Sequence, residues 1–217
     1  MTPVSLPQSP ELSVLSGKRL GDPFLAAYDR TSIETLRTMS NALAIHAVTV
    51  ALRQRLDRGL NAEVPGTRVT TCPPDRAREV TGNQVNLFLY HTVPSPAWRN
   101  ASPCDVPGSK AAQPPPALNL YYLVSAHGQN EDDPDPISHR LLGKAMALFH
   151  ENPILEPAEI RDAVTADAGA GAGVAGQFDW VRIAPQPLEL DQLTRLWTCL
   201  GSPFRISVAY EVSVVLI

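Results

Sequence analysis

Cysteine is scarce in this chain and poorly spaced for cross-linking: Cys72, Cys104 and Cys199 are an odd set with wide gaps. That is the pattern of reduced thiols, not of a disulfide-stapled secreted domain. Long apolar runs are missing as well. Nowhere do about 18 apolar residues follow one another, so no membrane-spanning helix is expected, and the opening MTPVSLPQSPELSVLSGKRL lacks the basic stretch and apolar run of a secretory signal. Neither sign of charge dominates. Eighteen Lys and Arg stand against 22 Asp and Glu, a formal net charge of -4, which leaves no one-sided basic field for nucleic acid.

The usual catalytic signatures are also absent. No serine sits in GxSxG, and Ser102-Pro103-Cys104-Asp105 falls in a proline-rich stretch where no rigid elbow is expected. Five histidines, His46, His91, His127, His139 and His150, include no pair four apart on a helix. The best metal candidate is His127 with Asp133 and His139 around an acidic turn, and a solvated acidic loop is the better reading of it. His46, inside an apolar helical stretch, reads as a satisfied, partly buried histidine. GAGAGVAG holds Gly171, Gly173 and Gly176 in a literal GxGxxG. A phosphate cradle needs a strand before that motif and a helix after it, whereas here a helical turn precedes and the strand FDWVRIA follows; a flexible linker over 167–177 is expected instead. No cofactor or metal is expected, and no enzymatic activity.

What is present is 217 residues, enough for one well-buried core, with 21 prolines, roughly double the ~5% of average usage. Residues 1–34 are rich in Pro and Ser without a sustained period, an extension outside the core that orders only on a partner. From Thr35 to Leu60, Ile45, Val48, Leu52 and Leu56 recur at helical spacing, with Gly59 placed to stop the run. A short strand at Arg68–Thr71 is cut off by Cys72-Pro73-Pro74. In NQVNLFLYHTVPSPAWRN, Val85, Leu87 and Leu89 alternate with Asn86, Phe88 and Tyr90, the pattern of a strand covered on both faces. Prolines then fill residues 94–116, a connection of about twenty residues, the length of a loop that either binds something or is partly disordered.

Order resumes with ALNLYYLVSA at Ala117–Ala126, a second central strand. Ile137, Leu141, Leu142, Ala145, Leu148 and Phe149 make a helical stripe ended by Asn152-Pro153, and a helical turn is expected near Pro157–Val164. Leu193, Leu196, Trp197 and Leu200 share a helical face, with Trp197 read as core and Trp98 and Trp180 as binding anchors. The last stretch alternates Ile206, Val208, Tyr210, Val212, Val214 and Leu216 against polar neighbours, a strand able to close the sheet or lend its edge to a neighbour. The expected architecture is α+β: a single twisted, mostly antiparallel sheet of four or five strands with helices packed on it, occupying residues 35–217.

NQVNLFLYHTVPSPAWRN, PPPALNLYYLVSAHG, SHRLLGKAMALFHENPIL and PLELDQLTRLWTCLGSPFRISVAYEVSVVLI together resemble, in this order, the cap (tail terminator) family of contractile injection systems and phage-tail-like particles, a group often catalogued as a domain of unknown function. The resemblance covers residues 40–217. It implies a structural protein that forms a homohexameric ring at the end of the inner tube and sheath and terminates their assembly, with inner tube and sheath proteins as partners. It also implies assembly in the bacterial cytoplasm, as part of a particle released by lysis. A closed ring uses heterologous contacts, so each subunit presents two different surfaces. The surfaces expected to serve are the proline-rich loop, with Trp98, Arg99 and Asn100, and the strand bearing Val212, Val214 and Leu216. The competing readings are a baseplate or sheath-anchoring adaptor of the same particle and a small metal-dependent hydrolase.

Overall fold

The computed structural model describes residues 43–77, 79, 81–96, 116–129, 136–167 and 180–217. Helix α1 (Ala44–Glu63) leads to strand β1 (Arg68–Thr70), the single turn α2 (Pro74–Ala77), and the long strands β2 (Gln84–Pro94) and β3 (Ala117–His127). Helix α3 (Ile137–Glu151), β4 (Ile154–Leu155), α4 (Pro157–Ala166), β5 (Val181–Gln186), α5 (Leu190–Cys199) and β6 (Ser207–Leu216) complete the order. The α+β architecture is as expected, with six strands in the order β1-β2-β3-β6-β5-β4. All pairings are antiparallel except β1 with β2.

The core lies between one face of the sheet and α1, α3 and α4. Val48, Leu52, Leu56 and Leu60 of α1 are each 1% exposed or less, and Ala44, Ala47 and Ala51 let the helix approach closely. Leu141, Leu142, Ala145 and Phe149 supply the stripe of α3, and Ile160, Ala163 and Val164 that of α4. Val85, Leu87, Leu120, Tyr122, Val124, Ile183, Tyr210 and Val212 meet them from the sheet. Phe149 packs edge-on to Tyr210, ring centroids 4.9 Å apart. Each such side chain contributes about 1.5–3 kcal/mol on burial.

One expectation for α1 is corrected. The helix does not stop at Gly59 but runs on to Glu63, where Val64 N–H still donates to Leu60 O. Gly59 is there for space: a Cβ at that position would stand 2.4 Å from a methyl of Leu148. It is the contact point of α1 with α3. Sequence periodicity also missed β4, two residues long, and the helical turn expected near Pro157 is a full ten-residue α-helix that starts on that proline.

The second face of the sheet is built differently. Leu123 and Ala209 are buried there, apart from the main core, and Trp197 of α5 is 1% exposed with Nε1–H donating to Ser207 Oγ at 3.1 Å. Phe204 lies against the Trp197 ring at 6.4 Å. Helix α5 opens with a capping box between Glu189 and Gln192 and meets this face at its Ser207 end. Trp197 is core, as the sequence indicates, and Trp180 is 54% exposed.

Candidate interaction surface

Two bulges shape the uncovered part of the second face. In β2 the register slips between Leu89, opposite Tyr122, and His91, opposite Tyr121, so Tyr90 is an extra residue. A bulge places two successive side chains on one side of the sheet. Tyr90 and His91 accordingly both flank Tyr121, with ring centroids 6.3 and 5.8 Å away. In β6 the register slips where Leu118 faces Val215 and Leu120 faces Val212. Val212 and Val215 then both reach the core, at 1% and 3% exposure, and the residues between them turn to the other face.

Tyr121 lies directly across the ladder from Glu211. Asn119, 8% exposed, donates Nδ2–H to Glu211 Oε1 at 2.7 Å, and its buried Oδ1 has no hydrogen-bond partner among the described residues. The amide orientation follows from chemistry, since turning it would set oxygen against carboxylate. Burial raises the Tyr90 phenol above its ordinary pKa, and Tyr121 and Glu211 nearby raise it further. Burial likewise raises Tyr210. Among the described residues Glu211 makes no ion pair. The result is a half-open patch of aromatic rings around hydrogen-bond acceptors.

The sheet's two ends are also unlike. Beyond β5, β4 covers only Val181 and Arg182, and Arg55 closes that end by donating to Asn152 O at 2.5 Å, to Ile154 O at 2.8 Å and to both carboxylate oxygens of Glu159. Pro185 in β5 has no N–H to offer a further strand. At the opposite end, three-residue β1 pairs only with Gln84–Asn86 of eleven-residue β2. From Leu87 to Val93 no described residue pairs with the outer edge of β2. An edge of that length without Lys or an interior Pro accepts an added strand.

Of the residues expected at an interface, Trp98, Arg99 and Asn100 lie outside the described residues, as do most of the loop 94–116, residues 1–42 and Gly171, Gly173 and Gly176. Val212 is closed to any partner by its burial in the core. Val214 and Leu216 are partly exposed, on the opposite face from Val212 because of the bulge. Strand β6 sits between β3 and β5 and has no free edge along Ala209–Ser213; the open edge belongs to β2. Strand lengths decide this, three residues against eleven, once β1 is paired with β2. Tyr90, Tyr121 and Glu211 were missed, as nothing local marks them.

The hydrolase cluster finds no support in what is described. His127 is buried beside Ser125 on β3, His139 is exposed on α3, Asp133 lies outside the described residues, and no three potential ligands converge among those described. His46 Nε2 stands 3.6 Å from Asp167 Oδ2, a surface pairing. A shallow cleft of ≈ 480 Å³ runs between α1, β1 and α4, lined by Arg53, Gln54, Asp57, Arg58, Val69 and Ala166.

The model of one family, the Pvc16 N-terminal domain, matches residues 47–217. The chain belongs to that family. Among solved structures, the fold is similar to the sheath/tube terminator of an extracellular contractile injection system in its extended state, at 20% identity and a TM-score of 0.54, covering 80% of this chain. It is also similar to the tube-terminating cap of the anti-feeding prophage, at 16% identity and a TM-score of 0.50, covering 83% of this chain. This Pvc16 N-terminal domain spans 56% of the length of each of those two chains. No curated protein matches it.

Proposed function

We propose that this chain is a terminator cap domain: it seats on the end of a contractile injection system's inner tube and sheath and stops their growth. The observation that supports the reading most is the likeness of its six-stranded sheet and helices to two chains described as tube terminators, together with membership of the Pvc16 N-terminal domain family over residues 47–217. Terminating a polymer requires a subunit that binds the growing end and offers no equivalent end to the next. The unlike sheet ends suit this. One end, at β2, takes a strand; the other is closed by Arg55 and Pro185.

The work is done by fitted surfaces and edge pairing, with no bond made or broken. The partners of this reading are the inner tube and sheath subunits and five further copies of the chain, closing a ring by heterologous contacts. Residues 35–217 form the cap domain and residues 1–34 the extension, with assembly in the bacterial cytoplasm. Electron microscopy of particles from a strain lacking the protein tests it. The expected result is tubes and sheaths of uncontrolled length. Particles of normal length that lack only tip or baseplate parts would assign the chain to an adaptor role instead.

A further inference from the structure

The sheet end at β4 and β5 is blocked by backbone chemistry that alternates along both strands. In an antiparallel ladder the N–H and C=O of successive residues point to opposite edges, so every second residue faces outward. Ile183 fixes which residues of β5 do so, because its N–H donates to Pro153 O at 2.7 Å, on the β4 side. Ala184 and Gln186, opposite Glu211 and Ala209, therefore turn their backbone groups toward β6, and Pro185 between them faces outward. Pro187 takes the next outward position, one residue past the end of β5. Both prolines are exposed, and neither has an N–H. Since β4 pairs only with Val181 and Arg182, two successive outward positions beyond it hold no donor.

Strand β4 is closed in the complementary way. Pro153 O faces β5, so the same alternation turns the carbonyls of Asn152 and Ile154 away from the sheet. Both accept from the Arg55 guanidinium, at 2.5 and 2.8 Å, and Pro153 between them has no N–H to give. A strand laid along this end would meet missing donors on β5 and occupied acceptors on β4. The opposite end differs. The outer edge of β2 has no proline before Pro94, and from Leu87 to Val93 no described residue pairs with it. The β2 edge of one copy and the β5 edge of another are thus the two ends that would join into a continuous sheet if both could bond.

We propose that Pro185 and Pro187, with Arg55 on β4, are the residues that stop copies of this chain from joining edge to edge, β2 of one to β5 of the next. Edge prolines are a means by which sheet proteins avoid pairing with one another. This deepens the cap reading, on which its meaning rests: a terminator has to bind a growing end without offering a further edge for addition.

The test is concentration-dependent association of the purified full chain, by sedimentation velocity, for wild type, Pro185→Thr, Pro187→Thr and the double variant. Threonine supplies the N–H and suits a strand. Two added ladder bonds are expected to strengthen association beyond the wild-type state on the order of tenfold, with each single variant showing less. Gln186→Thr raises strand propensity in the same place but turns its N–H to β6, and is expected to associate like wild type. Thr92→Lys, on the exposed part of the β2 edge, is expected to reverse the gain when added to the double. Circular dichroism checks the fold of each variant, and if the double does not fold, the comparison is read on Pro187→Thr, which lies outside β5. A folded variant that associates like wild type, a Gln186→Thr chain that associates as much as the double, or a gain that Thr92→Lys leaves in place would overturn the proposal. Any of these leaves the cap role standing, and normal tube lengths in the deletion strain would overturn that role without changing the association result, so the two ideas fail separately.

Discussion

The phenolic hydroxyl of Tyr122 lies 2.8 Å from Thr49 Oγ1, joining the centre of β3 to the first helix across 73 residues of sequence. Thr49 Oγ1–H already donates to Ile45 O at 2.8 Å, so Tyr122 donates and Thr49 accepts. Tyr122 is fully buried, so this bond is a polar tie between the sheet centre and α1.

Thr49→Val leaves the Tyr122 hydroxyl buried without a partner and is expected to cost about 1–3 kcal/mol. Adding Tyr122→Phe removes the orphaned group and should recover part of that loss. Chemical denaturation of the two singles and the double gives the coupling. Strictly additive singles would mean that the bond contributes nothing.

Arg55 holds α1, the β4 edge and α4 together through two carbonyls and Glu159, with its side chain 11% exposed. Arg55→Ala strands Glu159 and the carbonyls of Asn152 and Ile154, an expected loss of about 2–4 kcal/mol. Arg55→Lys keeps the charge but not the planar fork, and should recover less than half. Thermal unfolding measures both.

Gly59→Ala would ordinarily gain about 1 kcal/mol in a helix. Here the new methyl meets Leu148, and a net loss of about 1 kcal/mol is expected from overpacking. In a Leu148→Ala background the obstacle is gone, so the same substitution should turn stabilising. A sign that does not reverse in a denaturant titration would remove Leu148 as the cause.

Tyr90, Tyr122 and Tyr210 all have phenols raised above the ordinary value of 10.0, with burial the largest cause in each. Below that value the phenols are protonated folded and unfolded, and their contribution is complete. As pH rises past it, the unfolded chain releases these protons while the folded chain holds them, so stability falls with increasing alkalinity. Denaturation midpoints at pH 9 and pH 11 should show the decline, and absorbance at 295 nm should show phenolate forming late. Tyr90→Phe should remove one of the delayed steps.

Much of this molecule is decided locally. The stripes of α1, α3 and α5 and the alternation in β2, β3 and β6 depend on residues within a few positions of one another, because helix and strand periods express themselves over that range. The α+β outline, the buried Trp197 and the helix at Pro157–Ala166 followed by the strand at Val181–Gln186 could therefore be read from the amino acids alone. Local pattern also misled where the fold overrides it. Strict alternation put Val212, Val214 and Leu216 on one face, but the slip opposite Asn119 sends Val212 and Val215 inward together. Gly59 looked like a stop and is a contact with Leu148, 89 positions on. Above all, Tyr90, Tyr121 and Glu211 share no local signal. Only pairing of β2, β3 and β6, with one bulge in register, brings them together, and which strand keeps an open edge depends on the lengths of its neighbours in the finished sheet.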